Sequence, residues 1–159
     1  MQALVERILT VSREKKWRLA LAESCTGGLI SSRITSVSGV SEFFLGSVVS
    51  YANEVKIGML DVPAPIIKSV GAVSAEVAIA MAKGVQKHMN SDWSLAVTGI
   101  AGPSGGSPEK PVGTVWFGIC GPGFERTEKQ LFKGTRQEIQ ERAAVHALRV
   151  LVEAMEAQG

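Results

Sequence analysis

The chain has 159 residues, 45% of them hydrophobic and 20% charged, with 17 Lys and Arg against 15 Asp and Glu for a formal charge of +2. That is one domain's worth of chain, with enough apolar surface to build a core, so disorder and a second full domain are excluded. The near-balance of charge argues against a nucleic-acid or polybasic membrane surface, although a small phosphorylated ligand needs only one or two local cations.

Two cysteines, Cys25 and Cys120, are too few for a secreted disulfide scaffold. The opening MQALVERILTVSREKKW is charged throughout, unlike a secretory leader, and no apolar run approaches the roughly 20 residues of a membrane span. The expectation is a single domain over residues 1–159 in a reduced, cytoplasmic compartment.

In chain order, Leu4, Val5, Ile8 and Leu9 recur at helical spacing and predict an amphipathic helix ending near Lys16. Residues 18–22 (RLALA) read as a short buried strand. The segment Ser24-Cys25-Thr26-Gly27-Gly28 follows, and residues 29–37 look helical. Residues 43–51 (FFLGSVVSY) are β-branched and aromatic and predict a second strand. Asn53 is placed to cap a short helix through Leu60, and Pro63 and Pro65 punctuate the next connection. Ser74 is placed to cap a helix through about Met89. Residues 93–98 predict a third strand, 114–119 a fourth, and about 125–132 a fifth after the turn Gly121-Pro122-Gly123. Thr135 then caps a final helix whose core stripe is Ile139, Ala143, Ala147, Val150 and Leu151. Early alternation of strands and helices followed by a late meander implies an α/β fold with a mixed sheet covered on both faces. The Gly/Pro-rich stretch 99–113 is unusually long for a compact domain and reads as a lid or binding loop.

The residue types narrow the chemistry. His88 and His146 stand alone on helices without Cys, Asp or Glu at ligand spacing, so no metal site is expected. Gly102 to Lys110 imitates a Walker loop, but Glu109 precedes the lysine where glycine belongs and Pro111 follows where Ser or Thr belongs. Ser24 to Gly28 leaves a strand and opens a helix, where backbone N–H groups attract an anion; a plain helix cap with tight-packing glycines explains it equally. Cys25 sits at the same helix start, where a thiolate is stabilised, yet no basic partner is visible and a small buried side chain is the simpler reading. Thr98 and Gly99 end a strand beside the long loop, at the carboxyl edge where α/β sheets gather ligands. Lys56, between Val55 and Ile57, could act as a base only if its pKa fell by roughly 3 units from about 10.4, a cost of about 4 kcal/mol. Burial and a neighbouring cation such as Arg136 could bring this about. On residue type alone, Ser41 is an ordinary turn residue and Lys56 an ordinary helix lysine.

Five motifs occur in order: Ala22-Glu23-Ser24-Cys25-Thr26-Gly27-Gly28, Tyr51-Ala52-Asn53-Glu54-Val55-Lys56, Gly71-Ala72-Val73-Ser74, Thr98-Gly99-Ile100-Ala101-Gly102-Pro103 and Lys110-Pro111-Val112-Gly113-Thr114-Val115. Together they closely resemble the C-terminal domain of the competence-damage-inducible protein CinA, a family whose standalone members are nicotinamide mononucleotide deamidases. The resemblance spans nearly the whole chain. It implies a three-layer α/β/α sandwich around a mixed five-stranded sheet. It also implies hydrolysis of the carboxamide of nicotinamide mononucleotide to nicotinate mononucleotide and ammonia in pyridine nucleotide recycling, by a Ser/Lys pair with neither metal nor cofactor. Carried over by motif, Ser41 in Gly39-Val40-Ser41-Glu42-Phe43-Phe44 is the nucleophile, Lys56 the base and Tyr51 an assisting group. Ser24, Thr26, Gly27, Thr98, Gly99 and Arg136 are substrate-binding, with the phosphate on Arg136 and helix-start amides. Ala52 stands where the family pattern has serine, and Ser104 where it has an acidic residue. The pyrophosphatase activity associated with the N-terminal domain of CinA is not implied. The expected partner is the small-molecule substrate, with no nucleic acid and no membrane, in a homo-oligomer, a dimer by preference. Two alternatives stand beside this reading: an enzyme with Cys25 as nucleophile, and a non-catalytic nucleotide- or partner-binding module of a competence or DNA-damage response. Release of ammonia from nicotinamide mononucleotide separates enzyme from module.

Overall fold

The computed structural model describes residues 1–159. In chain order the elements are α1 (Gln2–Lys15), β1 (Leu19–Glu23), α2 (Leu29–Thr35), β2 (Phe44–Val49), α3 (Asn53–Leu60), α4 (Ala64–Val70), α5 (Ala75–Met89), β3 (Trp93–Gly99), β4 (Thr114–Gly121), β5 (Phe124–Leu131) and α6 (Arg136–Gln158). The strands form one sheet in the order β2-β1-β3-β4-β5. β1 runs parallel to both β2 and β3, whereas β4 and β5 return antiparallel. This is the mixed five-stranded α/β sheet that the element order and the CinA resemblance both implied.

Alternation along the strands separates two apolar layers. Leu19 and Leu21 of β1, with Leu95 and Val97 of β3, pack against Val5 and Ile8 of α1, Ile30 and Ile34 of α2, and Ala143, Ala147 and Leu151 of α6. On the other face Ala20, Ala22 and Ala96 meet Leu60 of α3 and Val77, Met81 and Val85 of α5. Small residues on that second face let α5 lie close. A Cβ on Gly118 would stand 2.3 Å from the Ala78 carbonyl oxygen, so only glycine fits there.

The caps explain several boundaries. Ser74 accepts from the Val77 N–H at 3.3 Å, and Thr135 forms a reciprocal capping box with Glu138, as the spacing predicts. Three local expectations change. Residues 64–70 form α4 where a connection was expected, because Pro65 in the first turn presets φ and loses no hydrogen bond there. Asn53 does not cap α3; Ala52 holds that position, and Asn53 is the first helical residue. Residues 40–42 tighten into a 3-10 turn ahead of β2.

β2, β1 and β3 point the same way. The segments leaving them, beginning at Ser50, Ser24 and Ile100, therefore emerge along one edge of the sheet, where the long 99–113 loop and the start of α6 join them.

Candidate active site

Ser24 is the first residue after β1. Its N–H donates to the Val97 carbonyl of β3 at 2.9 Å, which extends the parallel ladder by one residue and fixes the direction of the serine. Lys56 comes from the first turns of α3 and is only 2% exposed. Its Nζ lies 2.9 Å from Ser24 Oγ, 2.7 Å from the Ser50 carbonyl oxygen and 3.3 Å from the Tyr51 carbonyl oxygen. No carboxylate lies within ion-pair distance of it. Burial pushes the Lys56 amine below its ordinary value of 10.5. The geometry also directs the amine's lone pair. Both carbonyls can only accept, so a neutral Lys56 spends its two N–H bonds on Ser50 and Tyr51 and turns the lone pair to the Ser24 hydroxyl.

Around this pair is a cavity of about 170 Å³ walled by Cys25, Tyr51, Asn53, Thr98, Gly99 and Arg136. Arg136 opens α6 and donates to the Gly102 carbonyl at 2.7 Å and to the Tyr51 phenol oxygen at 2.6 Å. The Thr98 hydroxyl donates to the Ala72 carbonyl at 2.9 Å. Gly99 is required by contact: a Cβ there would come within 3.0 Å of Cys25 Sγ and 2.9 Å of the Thr114 carbonyl oxygen. Cys25 itself is 5% exposed, and burial pushes its thiol up to about 12. A buried, protonated thiol of this kind is a wall of the cavity, which speaks against the cysteine-nucleophile alternative.

A model of the CinA C-terminal domain matches residues 1–155. The chain belongs to the CinA C-terminal domain family. It is 54% identical over 134 residues to a CinA-like protein of Citrifermentans bemidjiense, covering 84% of this chain and 32% of that protein. It is 52% identical over 128 residues to a CinA-like protein of Prochlorococcus marinus subsp. pastoris, covering 80% and 30%. The chain thus spans about a third of the length of these curated relatives. Solved structures agree throughout the fold. The competence damage-inducible protein A (ComA) of Klebsiella pneumoniae superposes with a TM-score of 0.92 at 32% identity, over 96% of this chain and 94% of that one. The competence/damage inducible protein CihA of Agrobacterium tumefaciens gives 0.90 at 34% identity, over 98% and 94%.

In this CinA C-terminal domain, the expected site residues fall into two groups. Ser24, Tyr51, Lys56, Thr98, Gly99 and Arg136 share the cavity. Ser41 does not, and the expected Ser41–Lys56 pair is corrected. Ser41 is exposed in the 3-10 turn before β2, while Lys56 follows its far end, and the six residues of β2 hold the two ends about 17–20 Å apart. Thr26 and Gly27 are also displaced. They line a separate groove of about 800 Å³ between α2 and α6, and the Thr26 hydroxyl is committed to Glu23 at 2.7 Å. The helix-start amides expected to hold phosphate are taken as well: the N–H groups of Gly28, Ile30 and Ser31 all donate to the Glu23 carboxylate. Asn53 and Glu23 are the side chains that sequence reasoning passed over. A signal for Glu23 was present, as the one acid closing an apolar run, LALAE, directly before the serine turn.

Proposed function

We propose that this domain hydrolyses the carboxamide of nicotinamide mononucleotide, releasing nicotinate mononucleotide and ammonia, with Ser24 as nucleophile and Lys56 as its base. The observation that carries the proposal is the 2.9 Å contact between a carboxylate-free, buried amine and a serine hydroxyl, both lining one cavity. Such a pair is the activated-nucleophile arrangement of amide hydrolysis by acyl transfer. Membership of a CinA-like family that includes amidases is consistent with it.

In the proposed reaction, neutral Lys56 takes the Ser24 proton as the oxygen attacks the carboxamide carbon. The resulting ammonium returns that proton to the leaving nitrogen, and ammonia departs. Water then enters and gives a proton to Lys56 as its oxygen attacks the acyl carbon; Lys56 passes that proton to the departing Ser24 oxygen, which frees the acid and restores both groups. The cavity is smaller than the roughly 300–1,000 Å³ of pockets that enclose a whole small molecule, so it suits the carboxamide end while ribose and phosphate extend outward past Arg136. Arg136 and Tyr51 at its rim supply donors for those outer groups.

Ammonia release from nicotinamide mononucleotide, with the acid identified by mass, tests the proposal directly. Steady release that disappears in both Ser24→Ala and Lys56→Ala supports it. No release above background from the folded wild-type protein removes the activity.

A further inference from the structure

Glu23 is the only acidic side chain fully shut off from solvent, and no cation lies within ion-pair distance of it. A carboxylate in that position is tolerated only when hydrogen bonds replace its hydration. Five do. Oε2 accepts from the Thr26 hydroxyl at 2.7 Å and from the N–H groups of Gly28 and Ile30 at 3.1 Å each. Oε1 accepts from the N–H of Ser31 at 2.9 Å and from its hydroxyl at 2.5 Å. One side chain therefore clamps the turn that joins β1 to α2.

The donors it leaves out are informative. Within that turn, the Ser24 N–H is paired with Val97 and the Gly27 N–H with the Ser24 carbonyl. Apart from the Cys25 sulfur beside its own N–H, the N–H groups of Cys25 and Thr26 have no acceptor in the protein, and Cys25 lines the cavity directly after the serine. A free amide adjoining a nucleophile is what the oxygen of a tetrahedral intermediate needs.

We infer that Glu23 is a positioning residue: by clamping residues 24–28 it keeps the Ser24 hydroxyl on Lys56 and leaves the Cys25 amide open to the substrate's carbonyl oxygen. It touches no reacting atom itself. The inference rests on the Ser24/Lys56 reading but not on the identity of the amide.

The test uses a fluorophosphonate, which labels an activated serine whatever substrate the enzyme prefers: the Ser24 oxygen bonds to phosphorus, fluoride leaves, and the hydroxyl proton passes to Lys56. Peptide mass spectrometry locates the label. Glu23→Gln keeps the size of the side chain but turns an NH2 group toward N–H donors. It is expected to slow labelling of Ser24 at least tenfold and to lower kcat by a similar factor, with KM changed less than threefold and the pH inflection of Lys56 unmoved. Thr26→Val removes a single donor to Glu23 and is expected to produce a smaller slowing in a folded protein. It decides the question if Glu23→Gln does not fold. Labelling of both variants at the wild-type rate overturns the inference, as does an unchanged rate in Thr26→Val when it alone can be measured. Wild-type protein unlabelled at Ser24 overturns the Ser24/Lys56 reading and this inference with it. Labelling at Ser24 with no ammonia from nicotinamide mononucleotide overturns the substrate alone and leaves the role of Glu23 standing.

Discussion

The Arg136 guanidinium donates to the Tyr51 phenol oxygen at 2.6 Å, across a separation of 85 residues in the chain. With its second bond, to the Gly102 carbonyl, Arg136 ties the exit of β2, the 99–113 loop and the start of α6 into one rim over the cavity. A guanidinium has five N–H donors, so this rim still has donors for a phosphate. Arg136→Ala is expected to raise KM for nicotinamide mononucleotide by about 10- to 100-fold, the loss of one or two kcal/mol-scale charge-assisted hydrogen bonds. It is expected to change KM for the phosphate-free riboside much less. Steady-state kinetics on the two substrates checks this, and an equal change for both would take the phosphate away from Arg136.

The placement of the two serines makes opposite predictions for them. Ser24→Ala is expected to lower turnover about 10³-fold or more, because no other hydroxyl lies against Lys56 Nζ. Ser41→Ala is expected to leave kcat and Tm unchanged, since Ser41 is exposed and stands at the opposite end of β2. Parallel ammonia assays on the two variants, with thermal melts, check both. Loss of activity in Ser41→Ala would restore the pairing that the geometry excludes.

In the proposed reaction Lys56 sets the pH dependence. Its amine must be neutral to take the serine proton, so kcat/KM is expected to rise with pH and level off with an inflection below 10.5, the direction in which burial moves it. Lys56→Arg keeps the charge at every accessible pH and is expected to be inactive throughout. Stability has a matching sign. Between the lowered native pKa of Lys56 and 10.5 the unfolded chain holds the extra proton, so this group makes stability rise with pH across that window. Melting curves of wild type and Lys56→Met over the window are expected to show the rise attributable to Lys56 in the wild type only.

Cys25 is expected to be silent. With its thiol pushed up to about 12 and 5% exposed, it stays protonated near neutral pH. Native protein treated with iodoacetamide at pH 8 is expected to keep its activity and an unmodified Cys25, and Cys25→Ala to retain turnover within tenfold. Rapid alkylation with loss of activity would contradict the buried, neutral thiol.

Most of the fold was legible along the chain. Periodicity, the Ser74 and Thr135 caps and the β-branched runs located α5, α6 and the five strands, because these features act within a few residues of one another. α4 escaped because a proline at a helix start and a proline in a loop look alike until the following turn is seen to close. The site was legible as a set of residues but not as an arrangement. Ser24, Tyr51, Lys56, Thr98, Gly99 and Arg136 could each be named from motifs, whereas the partner of Lys56 could not. That partner depends on which strand ends lie side by side: β1 pairs with β2 in parallel, so the residue after β1 meets the residues after β2. A serine only fifteen positions before Lys56 is thereby carried to the opposite edge of the sheet, and one 32 positions before it comes into hydrogen-bond range. Local sequence determined which segments are helix and strand. Strand pairing, a relation between distant segments, decided which side chains meet, and burial among them decided the direction in which the Lys56 pKa moves.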